Sequence, residues 1–333
     1  MHRVRITQEF LSAGLEEFKG ADIKVDVRDD PEPQRYDELV ASLAGYDGAI
    51  SLLTDRIDAA LLDANPQLKV VANCAVGFDN IEVPAATERG VAVLNTPDVL
   101  TDATADLAIT LLLSVARRVP EGDAFMRSGA YRYWRLRQEQ LGLDVFGRNL
   151  GVFGLGKIGR ATVKRARGGF DMKVRYHDVF RLPAAQEEEL GAEYVSFEEL
   201  LASSDYVSIH APLTDETRHA FDADAFDAMK DTAVLINTAR GPIVDEAALV
   251  AALRDGQIAG AGLDVYEYEP AMVDGLAGLR ARVVLLPHLG SATEETRDRM
   301  ARLSASGVRA VLEGRRPSNL VNPEVMEDQT ETL

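Results

Sequence analysis

Short apolar runs alternate with amphipathic stretches along nearly the whole chain, and that alternation predicts its elements. In the first third, Val4–Thr7, Ile23–Val27, Ala49–Leu53, Leu68–Ala72 and Val91–Leu94 read as strands, with helical patterns such as Tyr36–Leu43 and Ile57–Ala64 between them. A second series runs through Leu150–Phe153, Lys173–His177, Tyr206–His210, Ala233–Asn237, Ala259–Val265 and Val283–Leu286. Regular strand–helix alternation of this kind builds parallel sheets covered by helices on both faces. The expected fold class is therefore α/β, with two doubly wound parallel-sheet domains.

Two segments look like connectors between the series. The stretch from Thr101 to Leu113 is apolar around most of its circumference and is expected to be a buried helix. Ser291-Ala-Thr-Glu294 has the form of a capping box, opening a helix that ends near Gly314. If both cross between domains, the C-terminal piece returns to the first domain and the second series is an insertion. The boundaries expected are 1–100 with 288–333 for one domain and 101–287 for the other. From Glu324 onward the chain is polar and acidic, and a loose tail is expected.

The second series opens on a distinctive pattern. The apolar run Leu150–Phe153 stops at Gly-x-Gly-x-x-Gly, formed by Gly154, Gly156 and Gly159, and a helix-forming segment starts at Lys157. Glycine permits the tight turn, the close backbone approach to a pyrophosphate and tight strand–helix packing, while free N–H groups and the helix dipole favour the anion. Such a fingerprint calls for an acidic residue about twenty positions on, at the end of the next strand, to hold a ribose hydroxyl. Asp178 stands there. Its carboxylate would repel a 2′-phosphate, which favours NAD over NADP, although Arg181 nearby keeps NADP open.

Composition narrows the class. A chain of 333 residues exceeds the usual size of one domain, and a net charge of −18 argues against nucleic acid or an anionic membrane as a general partner. On so acidic a protein, a site for an anionic substrate must be locally positive, so isolated arginines matter. Cys74 is the only cysteine, which excludes an internal disulfide and a cysteine-rich metal site; no metal is expected. The start, Met1-His-Arg-Val-Arg-Ile, lacks the apolar core of a signal peptide, and runs such as Leu107 to Ala116 fall short of a membrane span. A cytoplasmic protein without a membrane partner is expected.

Three later segments carry candidate chemistry: Ile236-Asn-Thr-Ala-Arg-Gly-Pro242, Gly262-Leu-Asp-Val-Tyr-Glu-Tyr-Glu-Pro270 and Leu286-Pro-His-Leu-Gly-Ser291. Each sets polar residues just after a predicted strand, where ligands bind in doubly wound sheets. One strand end delivers Arg240, the next a glutamate (Glu267 or Glu269) and the next His288. Together they supply an anion clamp, an orienting carboxylate and an acid/base group. The other histidines, His2, His177, His210 and His219, are expected to be surface or packed residues.

These segments, with Ala75-Val-Gly-Phe-Asp-Asn80 and Thr101-Asp-Ala-Thr-Ala-Asp106, make the chain resemble the D-isomer-specific 2-hydroxyacid dehydrogenases over nearly its whole length. Thr96-Pro-Asp-Val-Leu-Thr101 and the ending Asn319-Leu-Val-Asn-Pro323 resemble the glyoxylate/hydroxypyruvate reductases most. The resemblance implies a Rossmann cofactor domain inserted in a flavodoxin-like substrate domain. It implies His288 as proton donor, Glu269 as its partner, being the glutamate that precedes proline, and Arg240 as the clamp on the substrate. The backbone at Val76 and Gly77 would complete the carboxylate site.

The cofactor contacts that the resemblance implies are Thr104, Gly156, Lys157 and Ile158 near the pyrophosphate, with Gly154 and Gly159 shaping the loop and Asp178 at the ribose. Pro212 and Thr217 would lie near the adenosine half; Thr238, Ala239, Asp264 and Gly290 complete the set, with Thr238 and Asp264 near the nicotinamide. The implied activity is reversible NAD(P)H-dependent reduction of a small 2-oxo acid, glyoxylate or hydroxypyruvate, by a homodimer in which Trp134 could reach the partner's pocket. Another D-2-hydroxyacid dehydrogenase, of D-lactate or D-glycerate type, and a corepressor-like NADH-sensing protein stay open. Phosphoglycerate dehydrogenases with an added regulatory domain fit less well, as do phosphite dehydrogenases, which carry Lys where this chain has Val76.

Overall fold

The computed structural model describes residues 1–279 and 282–329, which divide into two compact units. Residues 1–100 form unit 1 together with the chain from Thr293 onward, and Thr101–Ala292 form unit 2. Residues 288–292, expected with the first piece, group with unit 2 because they continue the last strand end of its sheet.

Unit 1 holds the parallel strands β1 (His2–Ile6), β2 (Ile23–Val27), β3 (Gly48–Ser51), β4 (Val70–Asn73) and β5 (Ala92–Leu94), in the order β2-β1-β3-β4-β5. That order is the flavodoxin-like one. Successive side chains alternate between faces. Ile50, Val70 and Ala72 pack with Ala305, Val308 and Leu312 of the helix Glu294–Leu312, while Ala49, Val71 and Val93 pack with Leu39, Leu43 and Leu61 on the opposite face. Both faces are thereby covered, as a parallel sheet requires.

Two expectations for this unit need correction. The cap of the helix Glu294–Leu312 is Thr293, whose side chain accepts from Thr296 N–H at 3.2 Å; Ser291 lies outside, because the amide of Ala292 turns back to Leu289 O at 2.9 Å. Nor does a loose tail begin at Glu324. Pro323–Gln329 forms a 3-10 helix with Met326 buried, anchored by Asn322, which accepts from Val93 N–H and donates to Val91 O. Residues 330–333 of the expected tail lie outside the described residues.

Unit 2 contains β6 (Asn149–Phe153), β7 (Lys173–His177), β8 (Ala192–Tyr194), β9 (Tyr206–Ile209), β10 (Val234–Asn237), β11 (Gly260–Leu263) and β12 (Val283–Leu285), all parallel, ordered β12-β11-β10-β9-β6-β7-β8. The edge strand β8 was not legible in the sequence: three residues, of which only Ala192 is buried, carry no usable periodicity. The chain reverses its winding between β6 and β9, and their loops open the crevice where such sheets bind ligands.

The helix Thr101–Ala116 is buried along one stripe rather than all round. Ala105, Ala108, Leu111, Leu112 and Val115 face the core, and Asp102 and Asp106 lie outside, paired with Arg165 at 2.9 and 2.5 Å. Gly260 and Gly262 of β11 let this helix close on the sheet, since a Cβ there would lie 2.9 and 3.2 Å from methyl carbons of Val115.

Candidate active site

The loop after β6 has the stereochemistry that its three glycines allow. Gly154 sits at φ +92°, and a Cβ on it would lie 2.4 Å from the amide nitrogen of Ala211, in the loop after β9. A Cβ on Gly159 would lie 2.4 Å from the carbonyl oxygen of Gly154, so the helix Lys157–Phe170 could not pack as closely on β6. Gly156, at the N-cap of that helix, is different: a Cβ there would meet nothing within 4 Å. Two glycines are needed for the protein's own packing, while the third borders open space at a helix N-terminus. Open space at a helix N-terminus suits an anion. Lys157 and Ile158 supply the first turn.

Asp178 follows β7. One of its oxygens accepts from Leu155 N–H at 2.7 Å and the other from Phe180 N–H at 3.0 Å. The carboxylate therefore also fastens the glycine loop to the end of β7. Arg181 is turned elsewhere, gripping Glu187 with two nitrogens at 3.0 and 3.1 Å and lying over the ring of Tyr194.

Beyond β9, Thr217 donates to Pro212 O at 2.7 Å and accepts from Thr214 N–H at 2.8 Å, so these two residues shape their own loop. Thr238, after β10, carries a buried Oγ1 without a hydrogen-bond partner, an orphaned polar atom of the kind a bound group satisfies. Thr104, Gly290 and Asp264 lie together. A Cβ on Gly290 would fall 3.3 Å from Asp264 Oδ2 and 3.4 Å from Thr104 Cγ2.

Adjacent strands β10, β11 and β12 carry Arg240, Glu269 and His288 just beyond their C-terminal ends. His288 Nδ1 lies 3.1 Å from both oxygens of Glu269, which orients the ring and points Nε2 away from that carboxylate. His288 sits at φ +57°, an uncommon backbone state that its neighbours maintain. Its amide donates to Asp264 O at 2.9 Å, and the next two amides, of Leu289 and Gly290, donate to the Asp264 carboxylate at 2.6 and 2.8 Å. Asp264 is fully buried; burial pushes its carboxyl up from the ordinary range, opposed by those two amides and by His288.

Asn237 pins the Arg240 turn, donating to Arg240 O at 2.9 Å and accepting from Ala239 N–H at 3.0 Å. Tyr266 ties the turn after β11 to the end of β12 by donating to Leu286 O at 2.9 Å. The choice between the glutamates is geometric: Glu267 faces away from His288 and meets His219 Nε2 at 2.8 Å. Reading the sequence missed Asn237, Tyr266 and the His219 pairing. A polar residue at a strand end was the available signal for Asn237; the others depend on folding.

Of the remaining histidines, His177 contacts Val195 O and stacks on Phe153, His210 contacts Ser208, and His2 pairs with Asp47. In unit 1, the loop after β4 has its carbonyls fixed. Val76 O accepts from Asn95 at 2.8 Å and Gly77 O accepts from Asn73 at 2.7 Å. Because a trans peptide sets N–H opposite C=O, these bonds also aim the amides of Gly77 and Phe78. Among the described residues, no group of three or more His, Cys, Asp or Glu could hold a metal ion.

Residues 109–290 match the family model described as D-isomer specific 2-hydroxyacid dehydrogenase, NAD binding domain. The chain is 46% identical over 327 residues to a glyoxylate reductase of Thermococcus litoralis, covering 97% of this chain and 98% of that one. Among solved structures, it is similar to a protein of Thermus thermophilus, with a TM-score of 0.89 and 43% identity over 96% of this chain and 99% of the other. It is also similar to an NADPH-dependent glyoxylate/hydroxypyruvate reductase from Sinorhizobium meliloti in complex with NADP and malonate, with a TM-score of 0.85, 34% identity and 97% of each chain covered.

Proposed function

We propose, from the premise that the chain belongs to the D-isomer-specific 2-hydroxyacid dehydrogenase family, that it reduces glyoxylate and hydroxypyruvate to glycolate and D-glycerate. It is an oxidoreductase that binds NAD(P). The observation that carries the reading is the His288–Glu269 pair, which follows β12 and β11, with Arg240 following the adjacent β10 and the glycine loop following β6 of the same parallel sheet. When bound, the reduced nicotinamide supplies a hydride to the carbonyl carbon. The chain's own work is to deliver a proton to the carbonyl oxygen and to hold the acid in place.

His288 performs the first task from Nε2. Glu269 accepts from Nδ1, which sets the ring and leaves the opposite nitrogen as the proton donor; the reverse reaction returns the proton there. Arg240, a planar and permanently charged fork, grips the substrate carboxylate. Gly154, Gly156, Lys157, Ile158 and Gly159 serve the pyrophosphate, and Thr104, Pro212, Thr217, Thr238, Ala239, Asp264 and Gly290 the rest of the dinucleotide. Asp178 favours NAD, supported by a carboxylate held at the end of β7 and by Arg181 being engaged with Glu187.

We further read the protein as a cytoplasmic homodimer. In support, Tyr133, Trp134, Leu136 and Phe146 are each at least 67% exposed within one short segment, the kind of apolar surface that marks an interaction site. No helix among the described residues is long and apolar enough to cross a membrane.

The test is NADH oxidation with glyoxylate, hydroxypyruvate and pyruvate. Turnover by the wild type, lowered about a hundredfold or more by His288→Ala, is expected from the usual worth of general acid catalysis. Tight NADH binding without turnover on any of the three would refute the reading.

A further inference from the structure

The loop that carries Glu269 holds a second histidine–carboxylate pair. His219 Nε2 lies 2.8 Å from Glu267 Oε1, two residues before Glu269. Glu267 is nearly buried, with its side chain 9% exposed, and Glu246 is buried completely. The two glutamates clasp one another's backbone: Glu267 N–H donates to Glu246 Oε1 at 2.7 Å, and Glu246 N–H donates to Glu267 Oε2 at 3.3 Å. Val273 N–H donates to the other oxygen of Glu246 at 3.1 Å, so the clasp closes both ends of the segment containing Glu269.

His219 also reaches the neighbouring loop, which carries Arg240. Its backbone N–H donates to Pro242 O at 2.9 Å, two residues beyond Arg240. Phe221 continues this seam by donating to Ile243 O at 3.1 Å and accepting from Asp245 N–H at 3.0 Å. The two loops touch directly as well, for a Cβ on Gly241 would lie 1.8 Å from the carbonyl carbon of Tyr266. One residue therefore bonds by its backbone to the clamp's loop and by its ring to the loop of the orienting carboxylate. Like His288, His219 holds a positive φ, +52°, a state that persists only where the surroundings enforce it.

Surface need does not account for this arrangement. The Asp245 side chain already caps the helix Glu246–Asp255 through Ala248 N–H, so Glu267 is not required as that helix's cap.

We propose that His219 and Glu267 are positioning residues for the reaction, locking the Arg240 loop and the Glu269 loop in a fixed mutual register. Neither touches substrate. The ring of His219 donates from Nε2 to Glu267, and the pair keeps the spacing between the guanidinium that grips the acid and the carboxylate that orients the proton donor. This inference rests on the reductase reading above.

The experiment compares His219→Ala, His219→Gln and the wild type in NADH oxidation with glyoxylate, alongside NADH affinity by fluorescence titration. Gln sets an amide donor where Nε2 stood. A register error of about 1 Å costs on the order of a hundredfold, so partial loosening in His219→Ala should lower kcat/KM about tenfold or more. That loss should include a raised KM for glyoxylate, because Arg240 is displaced, with NADH affinity within about twofold of wild type, while His219→Gln recovers most of the loss. A purely structural role would lower the active fraction, and hence kcat, without moving KM. The proposal is overturned if His219→Ala matches the wild type, if KM stays fixed, or if Ala and Gln are equally impaired. Should the Ala variant fail to fold, Glu267→Gln replaces it, with the same raised KM expected and an unchanged KM overturning the idea. Absence of wild-type turnover would instead overturn the reductase reading, and the positioning role with it.

Discussion

Replacing Asp264 by Asn should damage both stability and turnover, although Asp264 is not the proton donor. Its carboxylate accepts from the amides of Leu289 and Gly290 at 2.6 and 2.8 Å, holding the turn that starts at His288. Asn keeps the shape but offers one accepting oxygen, and its NH2 faces the second amide, donor against donor. One hydrogen bond to a charged group, worth about 1.5–3 kcal/mol, is lost, and a buried N–H is left unpaired at about 1–3 kcal/mol. Removing a buried charge returns part of this, so the net cost should be about 2–4 kcal/mol, a large share of a typical domain's stability.

The turn then relaxes. With it goes the positive φ of His288, and Nε2 leaves its place; a displacement of about 1 Å is enough for roughly a hundredfold in kcat. Urea denaturation and steady-state NADH oxidation with glyoxylate read the two effects. A variant with an unchanged denaturation midpoint and a kcat within about threefold of wild type would refute the claim that Asp264 holds the catalytic turn.

Two further outcomes follow from the same structure. Gly156→Val should leave the melting temperature close to wild type, since a Cβ there meets nothing, yet weaken NADH about tenfold or more; Gly159→Ala should lower stability by about 1–3 kcal/mol, because its Cβ would lie 2.4 Å from Gly154 O. Equal melting losses in both, or loss in neither, would contradict the division of labour among the three glycines. Burial pushes the His210 imidazole from its ordinary value near 6.5 down to about 4, so the folded protein binds it neutral, and the stability this confers is present above pH 6.5 and lost as pH falls through 4. Its partial solvent contact screens the effect, and between pH 7.5 and 5 the wild type should lose about 1–2 kcal/mol more than His210→Gln, measured by urea titration at each pH. Parallel losses in the two proteins would show that His210 is not the group responsible.

Periodicity and motif spacing alone determined the two α/β sheets, the glycine turn, the acidic residue after β7 and the strand-end positions of Arg240 and His288. These are local properties: a parallel strand buried on both faces is a continuous apolar run, and a turn that must approach a phosphate needs glycine wherever it occurs. That the chain from Thr293 onward returns to the unit of the first series, which the sequence left conditional, is a matter of tertiary contacts. What folding decided is everything that depends on which loops become neighbours. Glu267 and Glu269 are two positions apart in one segment, and only the packing of the loops after β9, β10 and β11 sends one to His219 and the other to His288. Thr293 rather than Ser291 caps the last long helix because a turn back to Leu289 takes up the residues before it, and the short helix Pro323–Gln329 is held because Asn322 finds the backbone of β5. Hydrogen-bond partners remote in sequence leave no periodic trace, so a side chain's role as donor, clamp or brace exists only once the fold has chosen its neighbours.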